Sequence, residues 1–376
     1  MKYFSLLFSQ AWALSTLPIL LCATSLSLQA ADPESNLKKT FAVKPGGLLI
    51  IDADRGSIEL TTSERADIEI EVRRKLTDVS SAKAEEIFKA HEVTFDQDGD
   101  RVEVRAKMTK EFRSWFNRGD QSLQVQFKVA LPKQFNLDLR TAAGSINATE
   151  IAGTVKVRTS GGNLKFSAVQ GPFDGTTSAG SVELASATGP VKATTSGGNI
   201  RLGQMEADTS AVTAAGSIAV KLAKAKLMAR TSGGNLEIGE VVGPAELETA
   251  AGSIHIKLAQ ARLAAKTSGG SITIGEAHDT VVAHTSAGSI HAAFSAQPQE
   301  DCRLTTSGGS IEVKLAEKLA FDVDARTSAG RVTTQLPITT TVVGEQNRDG
   351  LIGKLNGGGK ALILKTSAGS ISIKKF

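Results

Sequence analysis

The sequence has little of what usually builds a cofactor site or an enzyme core. Its 376 residues include two cysteines, five histidines, one tyrosine and two tryptophans, and aromatic residues make up 5% of the chain. No Cys pair stands at zinc-ligand spacing, and there is no His-Glu-x-x-His, no Gly-x-Ser-x-Gly elbow and no Walker loop. An excess of one charge is also missing: 43 Lys and Arg face 39 Asp and Glu. That balance points away from nucleic acid or an anionic membrane as the partner. A mean hydropathy of -0.05 excludes a polytopic membrane protein. A hydrophobic content of 41% excludes a disordered chain, and the 36 glycines follow no Gly-X-Y period, which excludes collagen.

The first 31 residues read as an export leader. Lys2 gives the positive start, an apolar run broken at Pro18 spans Leu14 to Leu28, and Ala30-Ala31 offers a small-residue cut before Asp32. A retained anchor fits less well, because the run is interrupted and ends in polar and small residues. A lipoprotein site at Cys22 also fits less well, since Ile19, Leu20 and Leu21 precede it where a small residue is wanted. Removing the leader leaves 42 basic and 39 acidic residues, with Cys302 alone, so the processed chain has no internal disulfide.

What is present is a repeat. A segment of the form Thr-Ser/Ala-Gly/Ala-Gly-Ser/Asn-Ile recurs twelve times, with its invariant glycine at positions 144, 162, 180, 198, 216, 234, 252, 270, 288, 309, 330 and 369. The first eight intervals are all 18 residues, the next two are 21 and the last is 39. Equal spacing of this kind marks a repeat array. A threonine stands three residues before every one of these glycines and an aliphatic residue two after, as in Thr195…Gly198…Ile200. Apolar and polar positions alternate on both sides of the bend, which is the signature of half-buried strands. Gly pairs, Ser, Thr and β-branched residues at this frequency exclude helix.

The pattern predicts an all-β chain folded as a parallel β-solenoid, each unit being strand, tight bend, strand, loose turn. An antiparallel meander is the alternative. The threonines have inward parity and are expected to form an internal hydroxyl ladder. Cys302 falls in the column of Leu227, Leu263 and Val281, so it is expected to be a buried small hydrophobe. The coil length is 18 or 36 residues, and 36 is preferred. Alternation of Ala and Gly before the invariant glycine (Ala179, Gly197, Ala215, Gly233) favours 36. The order Lys165, Glu183, Arg201 favours 18, since it would alternate sign down a stack.

Residues 32–136 lack the strict period and read as a β-rich capping region, with residues 137–376 as the solenoid. Strands are expected near Leu48 to Ile51, Ile58 to Leu60, Ile68 to Val72, Val102 to Val104 and Leu123 to Ala130. One short helix is expected at 81–91, capped by Ser80 or Ser81. Gly56 echoes the repeat out of phase. At the other end, a polar loop runs to Asn356-Gly-Gly-Gly359, and the final copy, Lys365 to Phe376, is expected to close the array.

No catalytic, cofactor-binding or metal-binding residue is predicted. His255 and His291 share an outward column, and with His278 or His284 a metal site can be imagined. Surface histidines are the plainer reading. The bends carry Ser and Asn in place of the Asp of calcium-binding nonapeptides. Trp115 lies in an aromatic and basic segment, Lys110 to Arg118, that would suit a membrane or glycan contact or pack on the cap. An ice-binding threonine array is disfavoured by the inward parity.

The Thr-Ser-Gly-Gly-Asn-Ile and Thr-Ala-Ala-Gly-Ser-Ile copies, the Gly56-Ser-Ile58 segment and the ending Thr366-Ser-Ala-Gly-Ser-Ile371 resemble the DUF4097 family of exported bacterial envelope proteins, also labelled adhesins. The resemblance covers roughly residues 40–376. It implies a β-solenoid at the cell envelope and carries no site residues. The expected function is a non-enzymatic exported envelope or surface protein, adhesin-like, that binds a protein or glycan through a solenoid face. The alternatives are a polysaccharide-binding or polysaccharide-cleaving β-helix, which needs clustered carboxylates in a groove, and a structural scaffold with no small ligand.

Overall fold

The computed structural model describes residues 32–77, 79–110, 123–340 and 349–376. Each 18-residue repeat is one full coil with a six-residue strand such as Ile200–Met205 and a four-residue strand such as Thr209–Val212. Strands of successive coils pair in parallel with like positions opposed, as in Leu164↔Val182, Ile200↔Ile218 and Leu236↔Ile254. The long strands make one sheet and the short strands a second. The two sheets face each other across a continuous core of Val, Ile, Leu and Ala. That core explains the shortage of aromatics, because the space between the sheets is narrow. Where Phe173 enters it, Gly175 makes room: a Cβ on Gly175 would lie 2.5 Å from the Phe173 ring.

The 36-residue coil favoured by the Ala/Gly alternation does not form. The alternating position is exposed at the bend, and a Cβ on Gly197 would sit 3.6 Å from the Ala179 carbonyl, an ordinary contact. At Gly233 and Gly269 the corresponding distances are 3.3 and 3.2 Å, so an alanine above an alanine is mildly crowded, and the alternation reflects this contact between adjacent coils and no longer winding. Lys165, Glu183 and Arg201 accordingly lie on adjacent strands, and Arg201 pairs with Glu183 at 3.0 Å.

The bend is built from the repeat's own polar groups. Thr195 Oγ1 donates to the Gly180 carbonyl of the preceding coil at 2.8 Å and accepts from the Gly198 amide of its own coil at 3.2 Å. The inward threonine ladder is therefore present, and it satisfies backbone groups that the turning chain would otherwise bury unpaired. One position beyond the glycine, Asn199 N donates to Ser181 Oγ at 3.3 Å and Ser217 N to Asn199 Oδ1 at 2.8 Å. The invariant glycine is required by close approach: a Cβ on Gly198 would lie 2.0 Å from the Gly180 carbonyl oxygen.

At the N-terminal end, strands Leu48–Ala53 and Ser57–Ser63 form a coil stacked directly on Asn136–Thr141 and Ile146–Ile151. Gly56 sits under Gly144 in the glycine column, where a Cβ on Gly144 would meet the Gly56 oxygen at 2.1 Å. Its odd sequence phase comes from the excursion between the two coils. That excursion includes strand Asp67–Leu76, helix Ser81–Ala90, strand His91–Asp98, and an outer coil made of Arg101–Met108 and Leu123–Pro132. The five expected strands and the helix are present. Ser80 takes the N-cap position, although its side chain makes no capping bond. The antiparallel edge strand Glu34–Ala42 and strand His91–Asp98 complete this end.

The other end departs from expectation. The final copy does not close the array. Its strands Lys360–Thr366 and Ile371–Lys375 lie between the coil of Cys302–Thr305 and Ile311–Leu315 and the outer coil of Phe321–Thr327 and Val332–Thr334. The reason is local. Strand Gly350–Leu355 runs antiparallel along the outer edge of Phe321–Thr327, and the turn at Asn356 to Gly358, all with positive φ, carries the chain to that strand's inner edge.

Candidate functional site

The four clustered histidines of the sequence are not brought together. His255 and His291 flank Thr273 in one outward column of the long-strand sheet, two coils apart. His278 bonds Glu276 at 2.9 Å in a turn, and His284 bonds Thr305 Oγ1 at 2.8 Å on the short-strand sheet. Among the described residues no group of three or more His, Cys, Asp or Glu is placed to hold a metal ion. Cys302 is buried in the predicted column opposite Leu362, and the Val281 amide lies 3.4 Å from its sulfur. Burial raises its thiol pKa to about 11, so it packs as a hydrophobe and is a poor nucleophile. Cys22 and the leader lie outside the described residues, as does Trp115 with most of its aromatic and basic segment.

A concavity lies at the N-terminal end, where strands Glu34–Ala42, Asp67–Leu76 and Leu123–Pro132 meet the first coil. It encloses about 1070 Å³ and is lined in part by Ser35, Asp54, Arg55, Arg73, Arg74 and Lys75. Its wall contains a charge in an apolar position. Ile68, Ile70, Val72, Arg74 and Leu76 share inward parity, and Arg74 is only 7% exposed. Its guanidinium donates to the carbonyls of Phe88 at 2.8 Å and His91 at 2.9 Å and to Ser35 Oγ at 2.7 Å, and it lies 5.1 Å from the Phe88 ring. Arg74 thus fastens the edge strand, the helix end and the next strand together.

His91, 1% exposed, has no hydrogen-bond partner at either ring nitrogen among the described residues. Burial, then the positive charges of Arg74 and Arg55, lower its pKa to about 4 despite the opposing effect of Asp54. Two other cations here are paired, Arg73 with Glu71 at 2.6 Å and Lys75 with Asp32 at 3.1 Å. Sequence reasoning passed over Arg74 and His91. The available signal was an arginine interrupting an inward aliphatic column.

A family model described as Toastrack DUF4097 matches residues 47–285. The chain belongs to the Toastrack DUF4097 family. The resemblance read from the glycine copies is thereby shown, and the all-β solenoid is the fold of this Toastrack chain. A search of curated proteins found no match. Among solved structures, the Toastrack chain is similar to a protein of Clostridium sporogenes provisionally named for cell adhesion, at 10% identity over 91% of this chain and 100% of that one, with a TM-score of 0.17. It is also similar to a provisionally named adhesin of Bacteroides fragilis, at 10% identity over 91% and 97%, with a TM-score of 0.24. A third is a provisionally named lipid-binding protein of Parabacteroides distasonis, at 14% identity over 91% and 96%, with a TM-score of 0.26. Among the described residues, no helix is long and apolar enough to cross a membrane.

Proposed function

We propose that this Toastrack protein is an exported, non-enzymatic protein of the cell envelope or surface that holds a partner protein or glycan on a solenoid face. The observation that carries the reading is the parallel stacking of both sheets from the coil of Leu48–Ala53 to the last one, in a register that slips between Ile274 and Ala277 of the long-strand sheet and holds through the repeats before it. Register of this kind fixes outward side chains in straight columns at about 4.8 Å intervals. A long, rigid, polar surface suits an extended partner, because little conformational freedom is lost when it binds. The leader-like first 31 residues support export.

Two measurements test the proposal. Cell fractionation with N-terminal sequencing should find the protein outside the cytoplasm, starting at Asp32. Purified residues 32–376 should bind intact cells or envelope fractions saturably. A cytoplasmic chain with an intact N-terminus, or release of new reducing ends from envelope polysaccharide, would overturn the reading.

A further inference from the structure

We infer that the carboxyl-terminal end of the short-strand face holds a subsite for the carboxylate-bearing sugars of an acidic glycan. The inference rests on the partner-binding function proposed above and names one partner class for it. Three observations lead there. The first is charge distribution: residues 302–376 contain 11 Lys and Arg against 6 Asp and Glu, whereas residues 32–301 contain 31 against 33. The near-neutral total hides a basic end.

The second is geometry. The register places Lys266, His284, Thr305, Lys365 and Arg326 on five consecutive strands at equivalent outward positions. At about 4.8 Å per strand the column spans roughly 19 Å. Arg303 stands on the same strand as Thr305, two residues away and also outward. Lys266 is held only at 4.0 Å from Glu248, and Arg326 pairs with Asp324 at 2.6 Å. Neither Lys365 nor Arg303 forms an ion pair among the described residues, and both are exposed. The late insertion of the last coil is what puts Lys365 into this column.

The third is the cleft beside the column. It encloses about 490 Å³, and hydroxyls line it: Thr305, Ser307, Ser328 and Ser367 stand with Lys365 and Arg326. Asp349 also reaches its rim, as the one carboxylate among the described residues of the lining. Exposed cations beside hydroxyls match a sugar that offers carboxylates and hydroxyls together. An anionic bilayer fits less well. Among the described residues, the exposed large apolar side chains of this end, Ile352 (60%) and Phe376 (56%), lie on or beside different sheets and do not form one apolar patch.

The test uses residues 32–376 with polygalacturonate oligomers, neutral dextran and phosphatidylglycerol vesicles, measured by calorimetry at two salt concentrations. Polygalacturonate should bind, more weakly at higher salt, and dextran should not. Lys365→Glu with Arg303→Glu should weaken binding about tenfold or more, with Lys365→Gln giving a smaller loss. Lys156→Glu with Lys192→Glu, the same charge change on the same sheet nearer the other end, should change it less than about twofold. Circular dichroism and the melting midpoint confirm that each variant is folded. Equal effects of the two double variants, or binding to vesicles alone, would overturn the subsite. Saturable binding to envelope fractions without polygalacturonate binding overturns the subsite and leaves the wider function standing. Failure of both overturns both.

Discussion

At the residue scale, two neighbouring glycines of one bend carry different weight. Gly198→Ala forces a Cβ to within 2.0 Å of the Gly180 carbonyl, a backbone atom that cannot move aside. Gly197→Ala meets Ala179 at 3.6 Å, and alternate coils already carry alanine there. In urea unfolding, the first should lose about 3 kcal/mol or more and the second less than about 1 kcal/mol. Thr195→Val leaves the Gly180 carbonyl and the Gly198 amide without their hydroxyl, and it should lower stability by about 1–3 kcal/mol by the same measurement. Thr195→Ser, which keeps the oxygen, should lose less.

His91 gives the chain a pH response with a defined sign. Its pKa is about 4 when folded and near 6.5 when unfolded, so the unfolded chain takes up a proton first as pH falls. Stability should therefore decline as pH drops from about 6.5 through 4, by up to roughly 3 kcal/mol. His91→Phe should flatten that limb of the pH-stability profile. A slope below pH 4 should remain, because Glu71 and Glu103 are held below the usual carboxylate range by hydrogen bonds from arginines. An unchanged profile between pH 6.5 and 4 in the variant would contradict the assignment.

At the element scale, the bend was the most readable part of the sequence, because its constraints are local. A carbonyl one coil below requires glycine, and a buried turn requires a hydroxyl, so Gly198 and Thr195 announce themselves in every copy. Coil length was misread from Ala179 and Gly197, whose alternation lies on an exposed position where contact with the adjacent coil only mildly favours glycine. Gly56 was seen but could not be placed, since the excursion through the helix and the outer coil breaks the sequence count without breaking the stack. Arg74 and His91 answer to neighbours distant in sequence, and a one-dimensional pattern shows only the anomaly.

The position of Lys360–Thr366 was also hidden. Nothing in the last copy distinguishes an outermost coil from an inserted one. The insertion has a measurable consequence. Deleting residues 360–376 removes the strands between two other coils, so amide hydrogens of Phe321–Thr327 and Cys302–Thr305 should exchange faster together. Loss of protection confined to Phe321–Thr327 would contradict the stated strand order.

At the scale of the whole molecule, near-identical coils make stability a sum of unit and interface terms. Deleting residues 181–216, two complete coils, joins Gly180 to Ser217 and keeps both the register and the alternation of the bends. The shortened chain should remain folded with the same β spectrum and a smaller urea m-value, in line with the surface lost. Deleting only residues 199–207 would instead remove the long strand Ile200–Met205, leave the short strands Val191–Thr194 and Thr209–Val212 with no long strand between them, and abolish cooperative unfolding. The positive charge gathered at one end of this long body also gives it an electrical polarity, so its orientation on an acidic surface would be chosen before contact.

The buried seat of the last strand has a mechanical side. Tension applied to the carboxyl terminus cannot lift away an outer layer. It must first slide Ile371–Lys375 and Lys360–Thr366 past partners on both sides, with many backbone bonds loaded at once. Tension on the amino-terminal edge strand Glu34–Ala42, paired on one side only among the described residues, can break its bonds one after another. A tether fixed at the tail should therefore withstand more force than one fixed at the head.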